Sequence, residues 1–270
     1  MNSSQTIKNE KLFYKADISY LINVYLREYD IEKANISALY ELGVLNEEQY
    51  KAYYSMPKHD REVEIGCYLK YRPNLLPLLQ SKILEFRNMF ISSNNIDENQ
   101  ILYLDNDSIT IIDPKSKTQD DRISHFGTHI NFKLKNVYTS YYKLGSVDLL
   151  YNSNNESFRV KYAGQKLIDR HKDTFLDFLL ALCYEAETSN LSNVLLMLKG
   201  FYTQYIQYQL PVNFYREFNQ NSKFKLKSGL AFTYYSDIMT DIQTDQIDIS
   251  YNANLLRNLV KIFSYEYFKY

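Results

Sequence analysis

The stretch Ile101-Leu-Tyr-Leu-Asp-Asn-Asp-Ser-Ile-Thr-Ile-Ile112 constrains this chain most. β-Branched and aromatic residues flank a polar tip of Asp105, Asn106 and Asp107. Runs of that kind form strands, and short polar residues between them form a tight turn, so a β-hairpin is predicted. An isolated hairpin is at best marginal in water, so further strands and covering helices must come from elsewhere in the chain. The tip also has chemical potential. Two carboxylates at alternate positions of a turn can face one site and hold a divalent metal. Turn geometry alone also accounts for Asp and Asn at such positions.

Taken in order, residues 1–11 are polar and expected to form a loose arm. Phe13, Ile18, Leu21, Ile22, Val24, Tyr25 and Leu26 give a mixed pattern that fits a helix ending in a short strand before Asp30. Residues 34–54 read as helix, broken at Gly43 and restarted by Asn46-Glu-Glu-Gln49, a capping signature. A further helix runs from Lys58 to about Tyr71. After Pro73, Leu75, Leu78, Leu79, Ile83, Phe86 and Phe90 recur at helical spacing, predicting a helix from Leu75 to about Ser92. Residues 113–128 are polar and expected to loop. Alternating runs at His129–Leu134, Val137–Leu144, Val147–Tyr151 and Phe158–Tyr162 predict an antiparallel meander, with Asn152-Ser-Asn-Asn155 as a turn. Helical patterns return at Thr174–Glu187, at Leu191–Gln209 with Asn190 or Ser192 as cap, and at Asn254–Tyr267. Strands and helices are segregated along the chain, so the fold class is α+β.

Composition narrows the partners and the compartment. Lys plus Arg is 31 against 32 Asp plus Glu, so overall charge makes no case for nucleic acid, although a local basic groove remains open. Two cysteines, Cys67 and Cys183, lie far apart and suit neither a disulfide scaffold nor a zinc site, as expected in a reducing cytoplasm. No apolar run reaches the roughly 18 residues that a membrane span needs. Tyr, Asn, Ile and Lys are abundant, with 27 Tyr and no Trp, a drift typical of an AT-rich genome such as that of a bacteriophage or a low-GC bacterium.

Asp30 stands where an apolar strand gives way to a helix. It suits a helix N-cap, and it equally suits a carboxylate joining a metal site on a neighbouring hairpin. His125 and His129 are four apart, but in loop and strand that spacing does not place them on one face. Asp237, Asp241, Asp245 and Asp248 form an acidic run without the glycine of a calcium loop, which reads as a solvated face. Lys223-Phe-Lys-Leu-Lys227 fits an amphipathic edge strand or a contact to nucleic-acid backbone.

Two segments together resemble family B DNA polymerases. The first palm motif of that family often reads Tyr-Asp-Ile-x-x-Ala-Tyr-Pro-x-Ala-Met. Here Tyr29, Asp30, Ile31, Ala34, Ser37 and Ala38 match it. The later palm motif, Tyr-x-Asp-Thr-Asp-Ser, is matched by Tyr103, Asp105, Asp107 and Ser108 on the predicted hairpin. Arg159-Val-Lys161-Tyr162 is similar to the family's primer-contacting Lys-Lys-x-Tyr strand. The resemblance implies an antiparallel polymerase-like palm sheet with flanking helices and a helical thumb-like region at the C-terminal end. The expected organisation is an arm and helix over 1–28, a palm-like domain over 29–165 with reduced fingers near 40–92, and a thumb-like region over 166–270.

The implied activity is template-dependent nucleotidyl transfer with Mg²⁺ or Mn²⁺, two ions if active. Asp30 and Asp107 would be catalytic and bridge the metals, with Asp105 as an auxiliary. Lys161 and Tyr162 would hold primer-template DNA by its backbone. Arg61 or Lys58 would meet the triphosphate, and Asn35 would lie at the nucleotide. Departures are substantial. Asn35 replaces the Tyr that stacks on the incoming sugar, Ile36 a Pro, Lys33 a Ser and Asn106 a Thr, and no finger motif is recognisable. With only 29 residues before Asp30, no exonuclease domain is expected there, and a protein partner could supply fingers or exonuclease. The alternative is an inactive, polymerase-derived subunit that binds nucleic acid or joins a complex.

Overall fold

The pattern between Leu12 and Tyr29 predicts a helix ending in a short strand before Asp30; the strand forms, and short strands take the place of the helix among the described residues. The computed structural model describes residues 13–14, 18–113, 125–126, 129–144, 147–162, 175–188, 190–207 and 209–210. Strands β1 (Phe13–Tyr14), β2 (Tyr20–Leu21) and β3 (Leu26–Ile31) each find a ladder partner far along the chain: Phe13 opposite Leu104, Tyr20 opposite Tyr142, Leu26 opposite Ile112. Long-range pairing decides such segments because their local pattern is ambiguous.

Four helices follow as predicted: α1 (Ala34–Glu41), α2 (Glu47–Ser55), α3 (Lys58–Lys70) and α4 (Leu75–Ser93). The predicted capping signature is formed. Asn46 Oδ1 accepts from the Gln49 backbone N–H at 2.9 Å, and Gln49 Oε1 accepts from the Asn46 N–H at 3.0 Å. A short 3₁₀ turn leads into β4 (Ile101–Leu104) and β5 (Ser108–Ile112), the predicted hairpin. Strands β6 (His125–Phe126), β7 (Ile130–Tyr138), β8 (Ser140–Leu144), β9 (Val147–Asn152) and β10 (Ser157–Tyr162) come next, then helices α5 (Phe175–Glu187) and α6 (Leu191–Ile206). The break expected before Val137 moves to Thr139. Asn136, the polar residue at the expected break, donates from its side chain to Glu28 Oε2 at 2.7 Å, and β7 continues through it.

Two compact units result, one built on Tyr25–Val137 with β1, the other on β2 with the chain from Tyr138 onward. The span 29–165, expected as one palm-like domain, contributes to both. The first unit holds a sheet in the order β1-β4-β5-β3-β7-β6 and the second a sheet in the order β10-β9-β8-β2. The pairings β8–β9 and β9–β10 are antiparallel, which is the later part of the predicted meander; its first run, in β7, joins the first sheet beside β3 instead. The class is mixed α and β with segregated antiparallel sheets.

The core of the first unit explains its order. Tyr29 and Ile31 of β3, and Ile109 and Ile111 of β5, turn one sheet face towards helices. From α4 come Leu79, Ile83, Phe86 and Phe90, all buried. Phe90 meets Tyr29 at a ring distance of 5.0 Å and stacks on Phe132 at 4.4 Å. Leu78 is 55% exposed, because it lies about 100° round the helix from Leu79 and off the stripe. In the second unit, Leu179, Leu182 and Val194 of the two helices are buried, and Phe178 stacks on Phe201 at 4.0 Å. Asn190 caps α6 as expected, accepting from the Asn193 N–H at 3.4 Å. No helix among the described residues is long and apolar enough to cross a membrane. The predicted terminal helix, the acidic run from Asp237 and the Lys223–Lys227 strand lie outside the described residues.

Phe90→Ala should lower stability by about 3–5 kcal/mol, since it empties a fully buried aromatic site. Leu78→Ala should change it by less than about 0.5 kcal/mol. Urea denaturation of the two variants checks both; equal losses would misplace the core.

Candidate functional site

Backbone pairing brings the two acidic motifs together. Strand β3 runs antiparallel to β5 with Asp30 opposite Ser108 and Glu28 opposite Thr110. One residue further, the Ile31 N–H donates to the Asp107 carbonyl at 2.9 Å. Asp30 therefore sits at the end of one strand, beside the hairpin tip that carries Asp105 and Asp107. The tip closes with the Asp105 N–H on the Ser108 carbonyl at 3.0 Å. Neither Asn106 nor Asp107 takes a positive φ, so the tip does not use the left-handed backbone that Asn and Asp tolerate.

Two cations hold this acidic corner. Arg87, fully buried on α4, donates to the Asp105 carbonyl at 2.6 Å. Burial lowers its guanidinium to about 10, opposed by the nearby Asp105 charge. Asp105 turns its carboxylate to Ser108, accepting from Oγ at 3.3 Å. It is part of the staple that holds the tip. Lys135 on β7 meets Asp30 at 2.6 Å between Nζ and Oδ2, with both side chains partly exposed. Asp107 has its carboxyl raised above the usual range, first by burial and then by the like charge of Asp30, with Lys135 opposing.

Neither cation is anticipated from the motifs. Signals exist for both. Arg87 lies on the apolar stripe of α4 between Ile83 and Phe90, where a charge is out of place unless it has a task. Lys135 is a polar position of an amphipathic strand next to the acidic strand β3.

A cavity of about 280 Å³ opens beside the tip. Asn35, Asn106, Asp107 and Gln80 give its polar lining, with Leu79 and Ile83 among the apolar residues. The expected nucleotide-side residue Asn35 thus shares a cavity with Asp107. Lys58 and Arg61 are not among its lining residues. Lys58 pairs with Glu62 at 3.6 Å on the exposed side of α3, and Arg61 donates to the Met56 carbonyl at 3.0 Å. Lys161 and Tyr162 belong to β10 in the other unit, paired with Asp148 and Val147; their side chains lie outside the described residues. His129 packs between the rings of Tyr40 at 4.1 Å and Tyr50 at 4.9 Å. Cys67 and Cys183 are free thiols.

Asp30 and Asp107 are the residues that would hold a divalent cation here; the Asp30 charge adds to burial in raising the Asp107 carboxyl, and a cation would oppose that effect. Among the described residues no group of three or more His, Cys, Asp or Glu gathers in ligand geometry. Magnesium is commonly held by one or two carboxylates plus water and substrate phosphates, so two suffice for that ion.

Over residues 4–264 the chain matches the family described as Bacteriophage PBS1 gene 130 protein. It belongs to that family. The phage origin suggested by composition agrees with this membership. No curated protein matches the chain.

Asp107→Asn should raise the melting temperature of this phage-family protein at pH 7. A carboxyl raised in the folded state binds its proton more tightly there than in the unfolded chain. Its charge therefore lowers stability once pH rises above the folded value, and the difference fades as pH falls towards ordinary carboxylate values. Thermal melts of wild type and variant from pH 3 to 8 check this. A gain that grows at low pH would show the sign to be wrong.

Proposed function

We propose that the Asp30–Asp107 corner is a divergent palm-type centre for metal-dependent nucleotidyl transfer to a primer strand. One observation carries the proposal: the β3–β5 register that sets Asp30 against Ser108 and the Ile31 N–H against Asp107. Two sequence motifs with the right order thus meet on adjacent strands, as a two-carboxylate metal site requires. A divalent cation, when bound, supplies neutralisation of triphosphate charge and activation of the primer hydroxyl. Asp30 and Asp107 would hold it. Arg87 and Asp105 fix the tip so that Asp107 keeps its place. Asn35 and Gln80 would border the nucleotide in the adjoining cavity, where the smaller Asn35 leaves open the space that a tyrosine would fill. Lys161 and Tyr162 would grip primer backbone. Lys58 and Arg61 do not line the cavity, so the triphosphate needs cations from elsewhere, and a protein partner supplying fingers is part of the proposal.

The second reading is an inactive, polymerase-derived subunit that binds nucleic acid or joins a complex. The Lys135–Asp30 ion pair favours it, because an ammonium 2.6 Å from Asp30 serves as the counter-ion that a metal would otherwise provide.

Primer extension with Mg²⁺ or Mn²⁺ separates them. Wild type should extend a primed template, and Asp107→Asn should lose about 100-fold or more, the scale for removing one charge-stabilising group. Manganese binding measured by electron paramagnetic resonance should weaken in parallel. Equal extension by both proteins, or none by either, removes the catalytic proposal. Metal binding without extension leaves the second reading.

A further inference from the structure

A second cavity in the first unit, of about 440 Å³, opens between α2, the end of β3 and the start of β7. It shares no lining residue with the cavity at Asp107. Its size is that of a small-molecule site. Tyr50 and Tyr54 give it an aromatic wall, their rings 5.7 Å apart, with His129 edge-on to Tyr50. Glu32 and Asn131 give it a polar wall. Asn131 Nδ2 donates to Glu32 Oε2 at 3.1 Å, and the Glu32 charge, after burial, helps raise the Tyr54 hydroxyl above its ordinary pKa.

This bond leaves a wall of acceptors. A carboxylate offers about four acceptor sites, and Asn131 uses one on Glu32. The Asn131 amide spends an N–H on Glu32, and its side-chain oxygen is a further acceptor. A ligand must therefore be planar, to lie against tyrosines, and must bring adjacent N–H donors. Guanine does so with N1–H and its exocyclic amine. Adenine offers one donor beside an acceptor and mismatches a carboxylate.

A guanidinium has a similar donor edge, but it would fill little of a cavity of about 440 Å³. Beside the cavity, Lys33 places its ammonium 3.2 Å over the Tyr54 ring and donates to the Tyr54 carbonyl at 2.5 Å. On the lining, Glu47 pairs with Lys51 at 3.1 Å and lies 3.8 Å from His129.

We propose that this cavity binds the guanine base of a nucleotide, with Glu32 and Asn131 accepting from its Watson–Crick donor edge. The site is separate from the Asp30–Asp107 corner and stands whether or not that corner is catalytic. The test titrates the full chain with guanosine, 1-methylguanosine and adenosine monophosphates and with arginine amide, read by saturation-transfer NMR and by thermal shift. Guanosine monophosphate should bind. The 1-methyl and adenosine forms should bind at least about tenfold more weakly, as expected for loss of a hydrogen bond to a charged group. Glu32→Gln should weaken guanosine monophosphate by a similar factor. Equal binding of adenosine monophosphate, preference for arginine amide, undiminished binding by Glu32→Gln, or no binding at all would overturn the assignment. The 1-methyl comparison uses the wild-type protein and decides the matter even if Glu32→Gln fails to fold.

Discussion

The register of β3 on β5 is the constraint on which the first unit depends. Side chains alternate along a strand, so a slip of one residue would exchange its two faces. In the observed register, Tyr29 and Ile31 enter the core beside Phe90, while Glu28 and Asp30 share the opposite face with Thr110 and Ser108. The same alignment that buries the aromatic residues therefore places the acids together. Core packing and the acidic corner are not independent features. Burial enforces the register, and the register assembles the corner.

That corner is electrostatically expensive, and two distant elements offset the expense. Arg87 reaches from α4 to the hairpin tip, and Lys135 reaches from β7 to Asp30. A buried guanidinium is costly unless its donors are met, and the Asp105 carbonyl meets one of them. Asp107 still has a raised carboxyl, first from burial and then from the like charge of Asp30.

Much of the element pattern was legible in the residues. The α4 stripe, the Asn46–Gln49 capping box, the hairpin, the strand before Asp30 and the β8–β10 part of the meander all follow from local chemistry that tertiary contacts did not override. Strands β1 and β2 were not legible, because Phe13 and Tyr20 take their conformation from partners far along the chain. At the site, Asp30, Asp105 and Asp107 stood out by motif and Asn35 by position. Arg87 and Lys135 did not, because a single buried arginine and a single strand lysine have meaning only once their partners are known. Neither did the Glu32–Asn131 wall, whose two residues are 99 apart in the chain.

Which segments form helices and strands over most of the described chain, and which acids sit on a hairpin tip, can be read from the residues alone. Periodicity and capping are local, so a linear reading reaches them. Long-range packing set Asp30 beside that tip, brought Lys135 to its charge, and joined β8, β9 and β10 to β2 in a second sheet. Those outcomes depend on ladder register and burial between residues far apart in sequence, where no local pattern carries the information.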